Sequence, residues 1–254
     1  MDFSNKRILV TGSSRGIGQA AARVFHDAGA MVAINGRTEA SSQAGIEALG
    51  GGDRLFAAHG DVAIVSDCQA MIARAVEAMG GLDILVNSAG VGDGATIEAS
   101  TEAMWDETIN VNLKGTFFCS QAAVPHLRKS GGNIVNVASD AGLIGEPGLS
   151  VYGASKGGVV NLTRTFAMEL APTIRCNCVC PGYVDTDMVR RDGIERADNP
   201  AAAEAELIDY APLKRIAKPE EIGKAIAYLA GDDAVFVTGV ALPVDGGTSA
   251  GRGG

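Results

Sequence analysis

The sequence has few aromatic residues, few histidines and no long apolar run, and each shortage excludes a class of protein. Phe, Trp and Tyr make up only 5% of the 254 residues, whereas 34 are glycine. This composition favours close packing of helices on a sheet over an aromatic-rich β-sandwich. No stretch approaches the roughly 18 apolar residues of a transmembrane helix, so we expect no membrane span.

The five cysteines are too few and too scattered for a disulfide framework. Cys68 and Cys119 stand alone in apolar helical patterns, whereas Cys176, Cys178 and Cys180 alternate and would share one face of a strand. None of the three histidines is near them in sequence, as a metal site would require. We therefore expect buried free thiols and no metal.

Positive charge is also scarce, because 21 Lys and Arg face 30 Asp and Glu, for a net charge of -9. An acidic chain is a poor partner for nucleic acid and for an anionic membrane surface. The first seven residues are mostly polar and lead directly into an apolar run, without the apolar region of a signal peptide. We expect a cytoplasmic protein.

Short apolar runs alternate with helical patterns along the whole chain. Helices between strands imply parallel pairing with right-handed crossovers. The predicted fold is α/β: one doubly wound, Rossmann-type domain over residues 1–254, with about seven parallel strands and helices on both faces. Residues 248–254 are expected to form a flexible tail. The predicted strands are 7–10, 31–34, 55–58, 82–86, 134–137, 174–179 and 240–244. The predicted helices are 17–28, 40–49, 67–79, 102–128, 150–170, 201–207 and 220–229.

A glycine-rich segment, Thr11 to Gly18, follows the first strand and opens the first helix. Its glycines, Gly12, Gly16 and Gly18, permit a tight turn and a close approach of the backbone to a pyrophosphate. The helix N-terminus adds free N–H donors. The alternative is a purely structural glycine loop, which this position after a strand disfavours.

The end of the second strand bears on which nicotinamide cofactor fits. NAD-selective folds place a carboxylate there, but this chain has Asn35, Gly36 and Arg37. Arg37, with Arg15 in the glycine loop, offers donors for a 2′-phosphate. NADP(H) is therefore favoured and NAD(H) is the alternative, unless Arg37 is merely a solvated loop residue.

Tyr152 and Lys156 are four residues apart in a predicted helix, so their side chains share one face. A neighbouring ammonium favours the phenolate, and we expect it to lower the pKa of Tyr152. Such a phenol could exchange a proton with a substrate alcohol or carbonyl.

The motifs Gly12-x-x-x-Gly16-x-Gly18, Asn87-Ser-Ala-Gly90, Ser139, Tyr152-x-x-x-Lys156 and Pro181-Gly182 together resemble the short-chain dehydrogenase/reductases. The resemblance runs from about Lys6 to Gly247 and is strongest to 3-ketoacyl-carrier-protein reductase-like members. It implies an oxidoreductase that interconverts a carbonyl and a secondary alcohol with NADP(H).

The resemblance also implies roles for four catalytic residues. Ser139 would hold the substrate oxygen and Tyr152 would exchange its proton. Lys156 would bind the nicotinamide ribose, and Asn112 would hold a water that links Lys156 to solvent. The implied cofactor-binding residues are Gly12, Ser14, Arg15, Gly16, Ile17, Gly18, Arg37, Asp61, Val62, Asn87, Ala89, Gly90, Tyr152, Lys156, Pro181, Gly182, Val184 and Thr186.

The expected substrate is a small carbonyl or alcohol, bordered by a loop at about 183–213. Arg190 and Arg191 in this loop would suit an anionic substrate, but we prefer to interpret them as a solvated helix face. The alternatives are a 3-ketoacyl-carrier-protein reductase of fatty-acid synthesis, an NAD-using sugar or polyol dehydrogenase, an epimerase or dehydratase, and a non-catalytic NADP(H)-binding regulator. Family members associate as homotetramers or homodimers through their two long helices, and small residues such as Ala154, Gly157 and Gly158 are compatible with that.

Overall fold

The computed structural model describes residues 1–92, 94–191 and 193–251. Within these ranges, seven parallel strands form one sheet in the order β3-β2-β1-β4-β5-β6-β7. The predicted fold class is confirmed. The strands are β1 (Arg7–Val10), β2 (Met31–Ile34), β3 (Leu55–Ala57), β4 (Ile84–Asn87), β5 (Asn133–Val137), β6 (Arg175–Pro181) and β7 (Ala241–Val244).

Helices connect the strands. They are α1 (Gly16–Asp27), α2 (Glu39–Ala48), α3 (Val65–Met79), α4 (Glu102–Ile109), α5 (Gly115–Ser130), α6 (Ser150–Leu170), α7 (Asp187–Arg190), α8 (Pro200–Tyr210) and α9 (Pro219–Ala230). The predicted boundaries agree with these to within a few residues, because helical and strand periodicity are both strong in this chain.

Alternating residues of the central strands supply two separate cores. Ile8 and Val10 of β1 face a cluster that includes Phe25 of α1 and Ile226 of α9. Leu9, between them, faces a second cluster that includes residues of α3, α5 and α6. Because successive strand side chains point to opposite faces, this alternation places helices on both sides of the sheet.

The predicted helix at 102–128 is interrupted. A π-helical turn, Asn110–Lys114, joins α4 to α5. Gly115 directly follows it, and a Cβ there would lie 2.9 Å from the carbonyl oxygen of Val62. The bulged turn and the missing side chain let α5 approach the loop after β3, which a helical pattern in the sequence does not reveal.

Strand order reverses between β1 and β4, which are hydrogen-bonded neighbours. The carboxyl ends of the strands diverge at this point and leave a crevice. All the predicted site motifs follow strand ends or open helices at this edge. The fold therefore gathers segments that are far apart in sequence.

The five cysteines are free and buried, as expected. In the described ranges no helix has the length and apolar character to cross a membrane. No group of three or more His, Cys, Asp and Glu there is placed to hold a metal. Of the predicted tail, Thr248–Ala250 form a 3₁₀ turn held by Asp245, and residues 252–254 lie outside the described residues.

Candidate active site

The glycine loop between β1 and α1 is built on positions that no larger residue could occupy. Gly12 and Gly16 have φ of 63° and 60°. A Cβ on Gly12 would lie 2.7 Å from Ala89 Cα, and one on Gly18 would lie 2.5 Å from the Gly12 carbonyl oxygen. The loop is therefore a tight cradle that brings backbone close to the crevice, as a pyrophosphate site requires.

The N-terminus of α1 faces this cradle. In the described structure, Arg15 at the N-cap position makes no side-chain cap hydrogen bond. The backbone donors of the first turn, from Gly16 to Gly18, are therefore not satisfied by a cap. Ser14 contributes its carbonyl to Gln19 Nε2 at 3.0 Å, which fixes the entry to the helix. These features fit a bound anion.

Two residues that the sequence did not identify hold the cradle in place. The Thr11 hydroxyl accepts hydrogen bonds from the backbone of Ser88 at 3.0 Å and of Ala89 at 3.1 Å. Asn35 accepts from the Gly12 N–H at 2.9 Å and donates to the Ala58 carbonyl at 3.0 Å. They tie the ends of β1, β2, β3 and β4 together. In the sequence, the detectable signal for both residues was a polar residue directly after an apolar strand.

The two arginines expected near a 2′-phosphate are placed differently. Arg37 is exposed after β2 and makes no hydrogen bond or ion pair within the described ranges. Arg15 is also exposed, but its Nη1 lies 3.5 Å from Oδ2 of Asp187, the first residue of α7. The structure thus leaves Arg37 available to a ligand and directs Arg15 towards the substrate loop.

Asp61 and Val62 follow β3 at the side of the crevice. Asp61 Oδ1 accepts from the Ala63 N–H at 2.9 Å, which shapes the turn. Val62 is buried and packs against Gly115. The pair is therefore rigidly placed, with the Asp61 carboxylate partly exposed.

The side chain of Asn87 does not point into the crevice. Its Nδ2 donates to Ser120 Oγ and to Asn136 Oδ1, both at 2.9 Å, inside the protein. Its Oδ1 is buried and has no hydrogen-bond partner among the described residues. Any contact of Asn87 with a cofactor would therefore be made by its backbone, because both polar atoms of the side chain are buried inside the protein.

Gly90, Asn112 and Lys156 converge on one point. A Cβ on Gly90 would lie 3.4 Å from both Asn112 Oδ1 and Lys156 Nζ. Asn112, in the π-helical turn, accepts from the Val91 N–H at 2.9 Å and donates to the Val91 carbonyl and to Ser155 Oγ. Both amide N–H donors are used, so a bound water could only donate to this side chain.

Lys156 is one helical turn from Tyr152 on α6, as predicted. Its side chain is buried, only 4% exposed, and Nζ donates to the Val137 carbonyl at the end of β5 at 2.9 Å. Nζ also lies 5.6 Å from the centroid of the Tyr152 ring. The ammonium thus lies over the ring, while its hydrogen bond goes to the backbone.

Burial dominates the pKa of both residues. It raises the pKa of Tyr152 to about 12, although a Ser139 hydrogen bond acts in the opposite direction. It also lowers the pKa of Lys156 to about 8. The expected fall in the pKa of Tyr152 is therefore not found, because desolvation of the phenolate is the largest effect and the charges of Asp140 and Glu146 add to it.

Ser139 follows β5 by two residues and caps the 3₁₀ turn Asp140–Gly142 by accepting from the Ala141 N–H at 3.2 Å. Its hydroxyl lies 3.0 Å from Asp140 Oδ1. Burial raises the pKa of the Asp140 carboxyl to about 6. Asp140 is a third residue that the sequence interpretation missed, although it directly follows the predicted serine.

The segment after β6 closes the crevice. The Pro181 carbonyl lies 3.5 Å from Ser139 Oγ, and a Cβ on Gly182 would lie 3.2 Å from Asp140 Oδ2. Val184 is buried, and Thr186 at the N-cap of α7 lies beside Gly16. The structure therefore brings this predicted segment to both the cradle and the serine.

The proposed substrate loop is tied to itself and to its surroundings. Arg190 Nε lies 2.7 Å from Asp185 Oδ1, and its guanidinium also pairs with Glu204 of α8. The Tyr183 and Tyr210 rings meet edge to face, with centroids 5.7 Å apart. Met188 lies beside Gly92 and the Tyr152 ring. Asp192, within this loop, lies outside the described residues.

Comparison with known proteins places this geometry in context. Residues 12–249 match a protein family described as enoyl-(acyl carrier protein) reductase. The chain is 38% identical to meso-2,3-butanediol dehydrogenase of Serratia marcescens, over 100% of this chain and 98% of that protein. It is 36% identical to the 3-oxoacyl-[acyl-carrier-protein] reductase of Thermotoga maritima, over 97% of this chain and 99% of that protein.

A solved structure from Brucella melitensis, described as a short-chain dehydrogenase/reductase, glucose/ribitol dehydrogenase, superimposes with a TM-score of 0.89. It is 35% identical, and the alignment covers 98% of this chain and 99% of that one. These relatives share the whole architecture but are named for different substrates. The comparisons therefore indicate the type of reaction but not the substrate.

The lowered pKa of Lys156 predicts how stability depends on pH. Between about pH 8 and 10.5 the unfolded lysine holds a proton that the folded lysine has released, so stability rises with pH. Relative to a Lys156→Met variant, the wild type should gain as much as about 3 kcal/mol across this interval. Urea unfolding at several pH values measures the difference.

Lys224→Met, which removes an exposed lysine of α9, is the matched control. Its difference from the wild type should stay flat over the same interval. A flat difference for Lys156→Met as well would show that the buried lysine keeps its proton.

Proposed function

Because the chain belongs to the short-chain dehydrogenase/reductase family, an oxidoreductase family acting on alcohols with NAD(P), we propose that it interconverts a carbonyl and a secondary alcohol with NADP(H). The observation that carries the proposal is the meeting of Tyr152, Ser139 and Lys156 beside the glycine cradle. Gly90 links the two regions, since a Cβ there would touch Lys156 Nζ.

Tyr152 is the acid and base of the proposed reaction. Its raised pKa keeps the hydroxyl protonated at neutral pH, which suits donation to a substrate carbonyl oxygen during reduction. The Ser139 hydroxyl, held at the end of β5, would position that oxygen. Lys156, with a pKa of about 8, can return a proton to the phenolate, because the phenol has the higher pKa.

The chain fits a nicotinamide dinucleotide. The cradle of Gly12, Gly16 and Gly18 would hold the pyrophosphate, and Asp61 and Val62 would border the adenine. Thr186 and Val184 would border the nicotinamide. When bound, the cofactor supplies the hydride; the protein supplies position and electrostatics. Arg37, exposed and unpaired within the described ranges, supports NADP(H) over NAD(H).

The fatty-acid reductase alternative is less favoured. A reductase of carrier-protein thioesters needs a basic docking surface, and Arg128 and Lys129 at the end of α5 supply only part of one. The stretch 171–174 contains no basic residue, and the net charge of -9 opposes an acidic carrier. A generic carbonyl or alcohol oxidoreductase, including a sugar or polyol dehydrogenase, is the preferred proposal.

Self-association is part of the proposal. An apolar groove between α5 and α6, continued by the π-helical turn, is lined by residues that include Ile109, Leu113, Phe117 and Leu162. Gly158 is used within the chain, since a Cβ there would lie 2.9 Å from Leu113 Cδ2. The groove, which Gly158 also lines, is what a second copy would cover in a homodimer or homotetramer.

The proposed domain 1–254 would work in the cytoplasm, where the five free cysteines stay reduced. Recovery of the protein in the soluble cell fraction would support that location, and recovery outside the cytoplasm would contradict it.

Removing the Tyr152 hydroxyl should separate chemistry from binding. Tyr152→Phe is expected to lower kcat by at least about 100-fold, because general acid catalysis contributes on that order. Binding of NADPH, followed by fluorescence titration, should change little. Phe substitution of Tyr228, an exposed tyrosine of α9, is the control. Full activity in Tyr152→Phe would exclude the proposed proton donor.

Arg37 should decide cofactor preference. Arg37→Ala is expected to weaken NADPH binding about tenfold, as loss of a charge-assisted hydrogen bond implies, with NADH binding unchanged. Arg128→Ala, at the far end of α5, serves as the control. Equal weakening for both cofactors would contradict a contact with the 2′-phosphate.

A charge in the apolar groove should break the assembly. Phe117→Arg is expected to convert the protein to a smaller species in sedimentation velocity, because an unpaired guanidinium would be buried at the interface. Ile97→Arg changes an exposed apolar residue outside the groove and should leave the assembly intact. An unchanged sedimentation coefficient for Phe117→Arg would place the interface elsewhere.

A further inference from the structure

One hydrogen bond near Tyr152 has no part in the mechanism described so far. The Tyr183 hydroxyl donates to Glu146 Oε1 at 2.5 Å, although the two residues are 37 positions apart. Glu146 lies in the loop between Ser139 and α6, and Tyr183 begins the substrate loop. Both side chains are half-buried. The contact therefore holds a carboxylate between the two segments that border the substrate.

The negative charge of Glu146 affects the pKa of Tyr152, the proposed proton donor. Together with Asp140 it raises the pKa of Tyr152, in addition to the larger effect of burial. The same carboxylate raises the pKa of Asp140. A charge that acts on Tyr152 also acts on a charge that a substrate would carry beside Tyr152.

Arg190, one of the two arginines of this loop considered as a site for an anion, is already paired with carboxylates. Arg190 lies between the carboxylates of Asp185 and Glu204. The Glu146 carboxylate therefore keeps one oxygen free to accept. Within the described ranges, Oε1 accepts from Tyr183 and no hydrogen bond reaches Oε2. A carboxylate accepts hydrogen bonds but donates none, so it favours a hydroxyl on the substrate.

We propose that Glu146, positioned by Tyr183, makes the enzyme selective for uncharged substrates with a hydroxyl next to the reacting carbon, such as α-hydroxyketones and vicinal diols. The same residue disfavours substrates with a carboxylate or phosphate nearby. This inference rests on the proposed function and narrows its substrate class. It separates the protein from relatives that act on acidic or carrier-bound substrates.

The test uses pairs of ketones that differ in one feature. Methyl acetoacetate and acetoacetate differ in charge, and acetoin and 2-butanone differ in the neighbouring hydroxyl. The wild type should favour the ester over the acid by about tenfold or more in kcat/KM, as expected for like charges at a partly buried site. It should also favour acetoin over 2-butanone.

Glu146→Gln keeps an acceptor for Tyr183 but removes the charge, so the preference for the ester should largely disappear. A change in the pKa of Tyr152 would affect both ketones equally and cancel in the ratio. Tyr183→Phe keeps the carboxylate but no longer positions it, so it should retain discrimination against the acid and weaken the preference for acetoin over 2-butanone. Glu146→Leu removes charge and acceptor, and should also lose the preference for acetoin.

Glu169→Gln, an exposed glutamate at the far end of α6, is the matched control and should leave both ratios unchanged. A wild type that prefers acetoacetate, or a Glu146→Gln variant with an unaltered ratio, overturns the inference while the oxidoreductase proposal stands. Turnover of none of the four ketones with NADPH or NADH overturns the proposed substrate class. Failure of a wider ketone and alcohol panel would overturn the proposed function itself.

Discussion

Burial of a lysine is the constraint on which the rest of this site depends. Lys156 Nζ is taken out of water and given one backbone acceptor, the Val137 carbonyl. Burying an ammonium in that position costs free energy, so burial lowers the pKa of Lys156 to about 8. The same surroundings raise the pKa of Tyr152 to about 12. Low polarity thus disfavours both charged forms, and the proton rests on the phenol.

This arrangement differs from a preformed phenolate and ammonium pair. Under the proposed function, a protonated Tyr152 beside a lysine with a pKa of about 8 could protonate a substrate oxygen and then regain its proton. The geometry that permits it comes from the end of β5, which supplies Val137, from Ser139 just after that strand, and from α6, which supplies Tyr152 and Lys156. Since β1 and β4 diverge beside them, the proton-transfer groups and the glycine cradle open on the same crevice.

Much of this could be predicted from the sequence, because the relevant signals are local. Strands and helices follow from periodicity, the glycine cradle from its place after a strand, and the Tyr152 and Lys156 pair from helical spacing. The features that could not be predicted are non-local. The π-helical turn accompanies the approach of Gly115 to Val62, and the Asn87 amide turns inward to meet Asn136. The direction of the pKa shift of Tyr152 depends on burial, which spacing does not encode.

The two ends of the crevice differ in charge. At the cradle, donors of the first turn of α1 and the guanidinium of Arg37 are suited to phosphate, despite a net charge of -9. At the other end, Asp140 and Glu146 surround the proton donor with negative charge. One crevice therefore favours anions where the dinucleotide is proposed to bind and disfavours them where the substrate is proposed to react. Under the proposed function, that division would let an acidic protein hold an anionic cofactor and keep anionic compounds away from Tyr152.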